Sequence, residues 1–322
     1  MLLSPEVRTA LLCVFAALSL FSLAAFVVQR MKPEHDLSEL QSRIRTWWAI
    51  VGFFSLMLYW SATATIVFFA FVSFLALKEF LSMTPTRRAD RRVLFYAYLA
   101  ILGQYYFAAV EWYGMFIMFI PVLMFVWLPT RMLWLGQTDG FLKAAGTLHW
   151  ALMITVFSLS HAAFLLVLHP GSSPRVIPQF PSSAGEAYPG AGLLVFLVLV
   201  TELNDLCQGW WGRSFGKRKI APTISSGKTD AGLIGGVAST FLIAWLLGPR
   251  LTMMDGPRSV MAGLIIAVAG IAGHLCLSAL KRDLKIKDFG ATLPGHGGVL
   301  DRVDSLVFTA PLFFHFVYYT YG

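Results

Sequence analysis

The sequence predicts an all-α, polytopic integral membrane protein with about nine to ten transmembrane helices. Three observations carry that expectation. Hydrophobic residues make up 57% of the 322 residues and charged residues only 13%, with a mean hydropathy of +0.69, whereas soluble domains carry roughly 25% charged residues. A soluble core of this kind would lack the polar residues to cover it, so lipid must cover much of the surface. Ten stretches approach the ~20 mostly apolar residues that a helix needs to cross a bilayer. Finally, the basic residues concentrate in alternate connections between those stretches, as they do on the cytoplasmic side of membrane proteins. This composition excludes a secreted domain, a disordered tail and a soluble nucleic-acid binder.

The first stretch, 7–29, contains the uncharged 20-residue run from Thr9 to Val28. A signal-peptide apolar region is typically ~7–15 residues, so this run reads as a retained spanning helix. Next come 45–60 and 62–82, then 93–110 and 112–128. Both pairs are short and share tight turns, which leaves nine or eight true spans open. The stretch 148–168 completes an N-terminal portion, 1–190, of about six spans. The C-terminal portion, 191–322, holds 191–211, 231–248, 259–280 and 306–321, with two polar loops at 212–230 and 281–305. The region near 170–190 is rich in Pro, Ser and Gly and reads as an irregular connector. Trp47-Trp48, Trp112-Tyr113 and Tyr318-Tyr319 fall at span ends, where aromatic rings suit the membrane interface. No internal repeat or low-complexity tract is present, so the chain reads as one membrane domain.

Of the 25 Lys and Arg residues, 20 lie in 30–46, 83–92, 129–147, 212–230 and 281–305. The opposite connections hold Arg8, Arg175, Arg250 and Arg258, and Lys78 sits near a helix end. That bias makes the first group cytoplasmic and puts both termini outside. The Arg87-Arg88 and Arg91-Arg92 cluster then serves as a topological anchor beside anionic lipid rather than as a nucleic-acid patch. Cys13, Cys207 and Cys276 have no paired spacing and read as small buried apolar side chains.

Ionisable residues at or beneath the hydrocarbon layer are costly and by default mark function. Besides the anchors, they cluster in two places on the cytoplasmic side. The first runs from Glu202, Asn204 and Asp205 to Lys228. Its Gly227-Lys228-Thr229 resembles the tail of a P-loop, but Pro222 stands where the loop's first Gly is required and no strand is expected before it, so that reading fails. What remains is a Gly/Ser-rich turn with a Lys to offer to phosphate.

The second cluster is denser. His274, Ser278 and Lys281 are spaced to share one helix face, Arg282, Lys285 and Lys287 add charge for a phosphate group, and Gly295, Gly297 and Gly298 around His296 permit close approach of backbone to ligand. Asp301 and Asp304, three apart beside Arg302, present two carboxylates. Carboxylates among concentrated bases suit a divalent cation bound to a nucleotide, since Mg²⁺ takes hard oxygen ligands and bridges phosphates. Internal salt bridges between neighbours such as Lys287 and Asp288 are the bland alternative, which the poor facing of adjacent residues weakens.

The run from Ser278 through Lys281-Arg282, Lys287-Asp288, Pro294-Gly295-His296-Gly297-Gly298 and Asp301-Arg302 to Asp304-Ser305 resembles the signature of the CTP:phosphatidate cytidylyltransferases, the CDP-diacylglycerol synthases, possibly as a divergent bacterial branch. The stretch from Asn204-Asp205 to Lys228-Thr229 is similar to that family's other cytoplasmic motif. The resemblance covers about 195–310; the first six spans match only in being hydrophobic. It implies attack of phosphatidate on CTP with Mg²⁺, in the bacterial inner (cell) membrane with the site facing the cytoplasm. By that resemblance Asp205, Asp288, Asp301 and Asp304 serve the metal or its water shell, and Lys281 and Arg282 act with Asp288 and Asp301 in catalysis. Lys228, Ser278, Lys287, Gly295, His296, Gly297, Gly298 and Arg302 then bind the phosphates of CTP and phosphatidate. The sequence departs from the pattern at His274, where bacterial members commonly carry an Asp implicated in metal binding, so that role does not carry over.

The expected partners are CTP, phosphatidate and membrane lipid, with no nucleic acid; a homodimer stays open. A CTP-dependent kinase of a polyprenol-type lipid is the related alternative. A transporter or lipid-handling protein is the alternative of another class, but a carrier places its charges near the midplane and often has two related halves.

Overall fold

The computed structural model describes residues 3–31, 37–84, 91–134, 136, 138–168 and 190–321. Each of the ten apolar stretches is helical. The helices are α1 (Pro5–Met31), α2 (Ser38–Trp60), α3 (Ala62–Met83), α4 (Arg91–Ala109), α5 (Tyr113–Met118), α6 (Phe125–Leu133), α7 (Phe141–Leu152), α8 (Ser158–Val167), α9 (Gly190–Phe215), α10 (Asp230–Leu251), α11 (Gly256–Asp283), α12 (Val299–Arg302) and α13 (Leu306–Tyr321). A π-helical turn at Phe119–Met124 joins α5 to α6, and another at Met153–Phe157 joins α7 to α8.

Among the described residues, seven helices are long and apolar enough to cross a bilayer: Pro5–Met31, Ala62–Met83, Tyr113–Leu133, Phe141–Val167, Gly190–Phe215, Asp230–Leu251 and Gly256–Asp283. The remaining three expected spans are the helices α2, α4 and α13. Of these, α2 opens with Glu39, Arg43 and Arg45, and α13 has only 16 residues. The expected connector near 170–190 lies almost wholly outside the described residues, as do Arg87 and Arg88 of the basic anchor.

One local expectation is corrected. The loop 212–230 is not merely a turn, because β1 (Lys219–Ala221) and β2 (Ser225–Thr229) pair antiparallel, Lys219 opposite Thr229 and Ala221 opposite Ser225. Pro222 takes the second position of the tight turn, where its fixed φ is already suitable, and Ile224 N–H closes the turn on Ala221 C=O at 3.1 Å. Gly227-Lys228-Thr229 therefore lies in an extended strand, and the Thr229 hydroxyl caps α10 by accepting from Gly232 N–H.

The core follows from the apolar faces. Every residue of α8 from Leu159 to Val167 is buried, as is the first part of α9 from Gly190 to Leu197, and both pack with α13. In contrast α1 buries only Val7 and Ala25 and exposes Leu12, Leu20, Phe21 and Leu23, a surface for lipid. At one end of this bundle converge the starts of α2 and α10, the ends of α3 and α11, the last turns of α9, and α12.

Candidate active site

The last two turns of α11 bury Ser278 and Lys281. A buried ammonium requires a partner, and Lys281 Nζ donates to Asp301 Oδ1 at 2.9 Å while lying 5.6 Å from the centre of the Phe289 ring. The other oxygen, Asp301 Oδ2, accepts the backbone N–H of Phe289 at 2.8 Å and of Gly298 at 3.0 Å. Asp301 thus fastens the loop 289–298 from both ends.

Within that loop Gly295 and Gly297 adopt φ of 75° and 79°, a region where a side chain is strained. His296 is buried with its ring edge-on to Trp47 at 6.0 Å, and the Thr46 hydroxyl donates to Pro294 C=O at 2.9 Å. Burial, reinforced by the positive charges of Arg302 and Arg43, holds the His296 pKa below its ordinary value.

The first cluster meets the second across a hundred residues of chain. The Ser305 hydroxyl donates to Asp205 Oδ2 at 2.5 Å, and Lys228 Nζ reaches Gln208 Oε1 at 2.8 Å and Asp205 Oδ1 at 3.4 Å. Asp304 Oδ1 accepts Ser305 N–H at 2.7 Å, and His274 Nδ1–H donates to Asp304 Oδ2 at 2.9 Å. Burial raises the Asp304 pKa, but the His274 hydrogen bond and charge, the Lys281 charge and the Ser305 amide outweigh it and hold the carboxyl below the usual value. Arg282 Nε donates to Ile224 C=O at 3.2 Å and so ties the two loops together.

Asp205, Lys228, Ser278, Lys281, His296, Asp301 and Asp304 are therefore gathered at one end. Arg282, Lys287, Asp288 and Arg302 stand exposed around them. The four-carboxylate metal set is not assembled: among the described residues no three His, Cys, Asp or Glu side chains gather closely enough to hold a metal ion. Both oxygens of Asp301 are engaged by Lys281 and two backbone amides, both of Asp304 by His274 and the Ser305 amide, and Asp288 is exposed against Gly297. Asp205 and Asp304, joined through Ser305, are hard oxygen donors of the kind Mg²⁺ takes. His274, at the departure from the family pattern, bonds to Asp304.

Three contributions were not foreseen. Gln208 is buried and partners Lys228, one turn beyond Asn204, whose side chain accepts from Thr240 Oγ1 at 2.9 Å. Trp47, read as an interface aromatic, packs on His296. Glu79, buried near the end of α3, accepts hydrogen bonds from Val299, Leu300 and Thr292. A carboxylate within a spanning stretch, next to Lys78, was the signal for it.

The bundle gathers Lys228 and Lys281 with Asp205, Asp301 and Asp304 at one end. The chain belongs to the cytidylyltransferase family, which it matches over residues 41–320. It is 40% identical over 306 residues, 95% of this chain and 96% of the relative, to an Escherichia coli (strain K12) protein named "Uncharacterized protein YnbB". It is also similar to the phosphatidate cytidylyltransferases of Haemophilus influenzae, at 36% over 139 residues (42% of this chain, 48% of the relative), and Brucella suis, at 38% over 127 residues (39% and 47%). The matched region spans about half the length of these two enzymes.

Proposed function

We propose that the protein transfers the cytidylyl group of CTP to phosphatidate, giving CDP-diacylglycerol and pyrophosphate, at the cytoplasmic face of the bacterial inner membrane. The observation that carries this reading is the joining of the two motif clusters, through the Asp205–Ser305–Asp304 chain and the Arg282–Ile224 bond. Similarity to phosphatidate cytidylyltransferases supports it over the motif-bearing part of the chain.

In the reaction a phosphatidate oxygen attacks the α-phosphorus of CTP; the new P–O bond forms as the bond to the β-phosphate oxygen breaks and pyrophosphate leaves. Both reactants are anionic, so the main burden is charge neutralisation and in-line positioning. Lys228, half-buried and held by Gln208 and Asp205, offers a fixed ammonium to phosphate. Arg282, Lys287 and Arg302 supply exposed charge. Lys281, committed to Asp301, keeps the 289–298 loop in place, so that the backbone around Gly295, Gly297 and Gly298 lies against the nucleotide. Asp205 and Asp304 are the residues that would hold Mg²⁺, which would neutralise triphosphate charge when bound. The acyl chains stay in lipid between the helices.

The test is label partition with purified protein, Mg²⁺ and phosphatidate. Label from the α-phosphate of CTP should enter the lipid phase with release of pyrophosphate, and Lys228→Ala should abolish it. Transfer of γ-phosphate label to a lipid alcohol would establish the kinase instead, and label left wholly in water with every lipid acceptor would exclude both.

A further inference from the structure

The α12 segment is a short helix whose N-cap is Gly298. A helix start leaves backbone N–H groups without partners, normally met by a capping side chain, and glycine has none. Glu79, some 220 residues earlier in sequence, takes that place. Its Oε1 accepts Val299 N–H at 2.9 Å and the Thr292 hydroxyl at 2.6 Å, and its Oε2 accepts Leu300 N–H at 2.9 Å. The fit depends on a bare backbone, since a Cβ on Gly298 would run into the Glu79 carboxylate. Asp301 meanwhile takes Gly298 N–H and Phe289 N–H. Two carboxylates far apart in the sequence therefore hold one loop, and Thr46 and Trp47 brace its tip at Pro294 and His296.

We propose that Glu79 is a positioning residue for nucleotide: by satisfying Val299, Leu300 and Thr292 it sets the register of the 290–300 loop, and through it Asp301 and the glycines that receive the triphosphate. The N-terminal helices thereby complete the site, rather than serving only as an anchor. The inference rests on the cytidylyl-transfer reading for the ligand of the loop, but not for the loop's dependence on Glu79.

Both parts are tested on the full-length protein in lipid nanodiscs with Glu79→Gln, which keeps the side chain's size, and with Thr292→Val, which removes one donor and leaves the carboxylate. Steady-state kinetics are measured against CTP and phosphatidate separately, and hydrogen exchange is followed by mass spectrometry. Glu79→Gln should raise KM for CTP at least tenfold, leave KM for phosphatidate within twofold, and speed exchange at least tenfold in 290–301 while α9 and α11 keep wild-type protection. Thr292→Val should shift the same quantities in the same direction by a smaller factor. Unchanged loop exchange, or equal loss of protection throughout the bundle, would overturn the proposal. So would a KM for CTP within twofold of wild type. If the wild-type protein transfers no label from CTP, the cytidylyl-transfer reading fails, while the exchange pattern still decides whether Glu79 holds the loop.

Discussion

Lys281 and Asp301 form a buried couple whose removal should distinguish structure from chemistry. The Lys281 side chain is 11% exposed and that of Asp301 2%. Replacing Lys281 by Met leaves the carboxylate buried with two amide donors but no counter-charge. Breaking a buried pair from one side costs about 3–5 kcal/mol. Asp301→Ala should cost more, because it strands the ammonium and also leaves the amides of Phe289 and Gly298 unsatisfied, at ~1–3 kcal/mol each. The double variant Lys281→Met with Asp301→Asn removes both charges and keeps an oxygen for the amides. Measured against Lys281→Met and Asp301→Asn made singly, it should recover about 0.5–3 kcal/mol relative to their sum. Reversible unfolding in mixed detergent micelles measures each stability, and label transfer from CTP measures activity. The double variant should regain stability and stay inactive, since the charged couple that fixes the loop is gone. Single variants that each cost under ~1 kcal/mol, the level of an exposed pair, together with strict additivity in the double, would refute the argument.

Gly297→Ala forces a side chain into left-handed backbone and brings a Cβ within 3.0 Å of Asp301 Oδ2; a penalty of ~1–2 kcal/mol should appear as weaker CTP binding in equilibrium titration. For His296 the sign follows from its lowered pKa: the unfolded chain takes up a proton first. Its contribution to stability is therefore complete above the ordinary value near 6.5 and is lost as pH falls through that value towards the lower folded one. Thermal unfolding between pH 7.5 and 5 should show that slope in wild type and a shallower one in His296→Asn. Chelation of divalent ions should abolish transfer, and Asp205→Asn and Asp304→Asn should each raise the Mg²⁺ needed for half-maximal rate, measured by metal titration; an unchanged requirement in both would remove them as ligands.

All ten apolar stretches were legible as helices because lipid imposes long runs that periodicity and length detect directly. The π-helical turns at Phe119–Met124 and Met153–Phe157 were not, since in stretches apolar on every side the shift of phase that an extra residue brings leaves no polar marker to reveal it. The hairpin escaped because Ser225, Ser226, Gly227 and Lys228 have low strand preference, and its pairing is enforced by Pro222 and by the start of α10. That Ser278, Lys281, Asp301 and Asp304 lie near one another was suggested by their spacing in the second cluster; that His274 bonds to Asp304 was not. Nor was the rest of the site's internal bonding, because Ser305 to Asp205 and Val299 to Glu79 join residues 100 and 220 apart, and no local pattern encodes such contacts.

The positive charge of the two motif loops acquires a physical reason from where the carboxylates point. Glu79 accepts the amides of Val299 and Leu300, Asp301 those of Phe289 and Gly298, and Asp304 that of Ser305. Five buried backbone donors are thereby satisfied by acidic groups, which a neutral side chain would do less strongly. Turned inward, these carboxylates do not screen the outer surface. Arg282, Lys285, Lys287 and Arg302 stand exposed there against only Asp283 and Asp288 among the exposed acids of 281–305. A loop with this arrangement spends its negative charge on its own backbone and presents net positive charge outward. On the proposed cytidylyl-transfer reading, that separation would draw an anionic acceptor and an anionic nucleotide to the same end of the bundle.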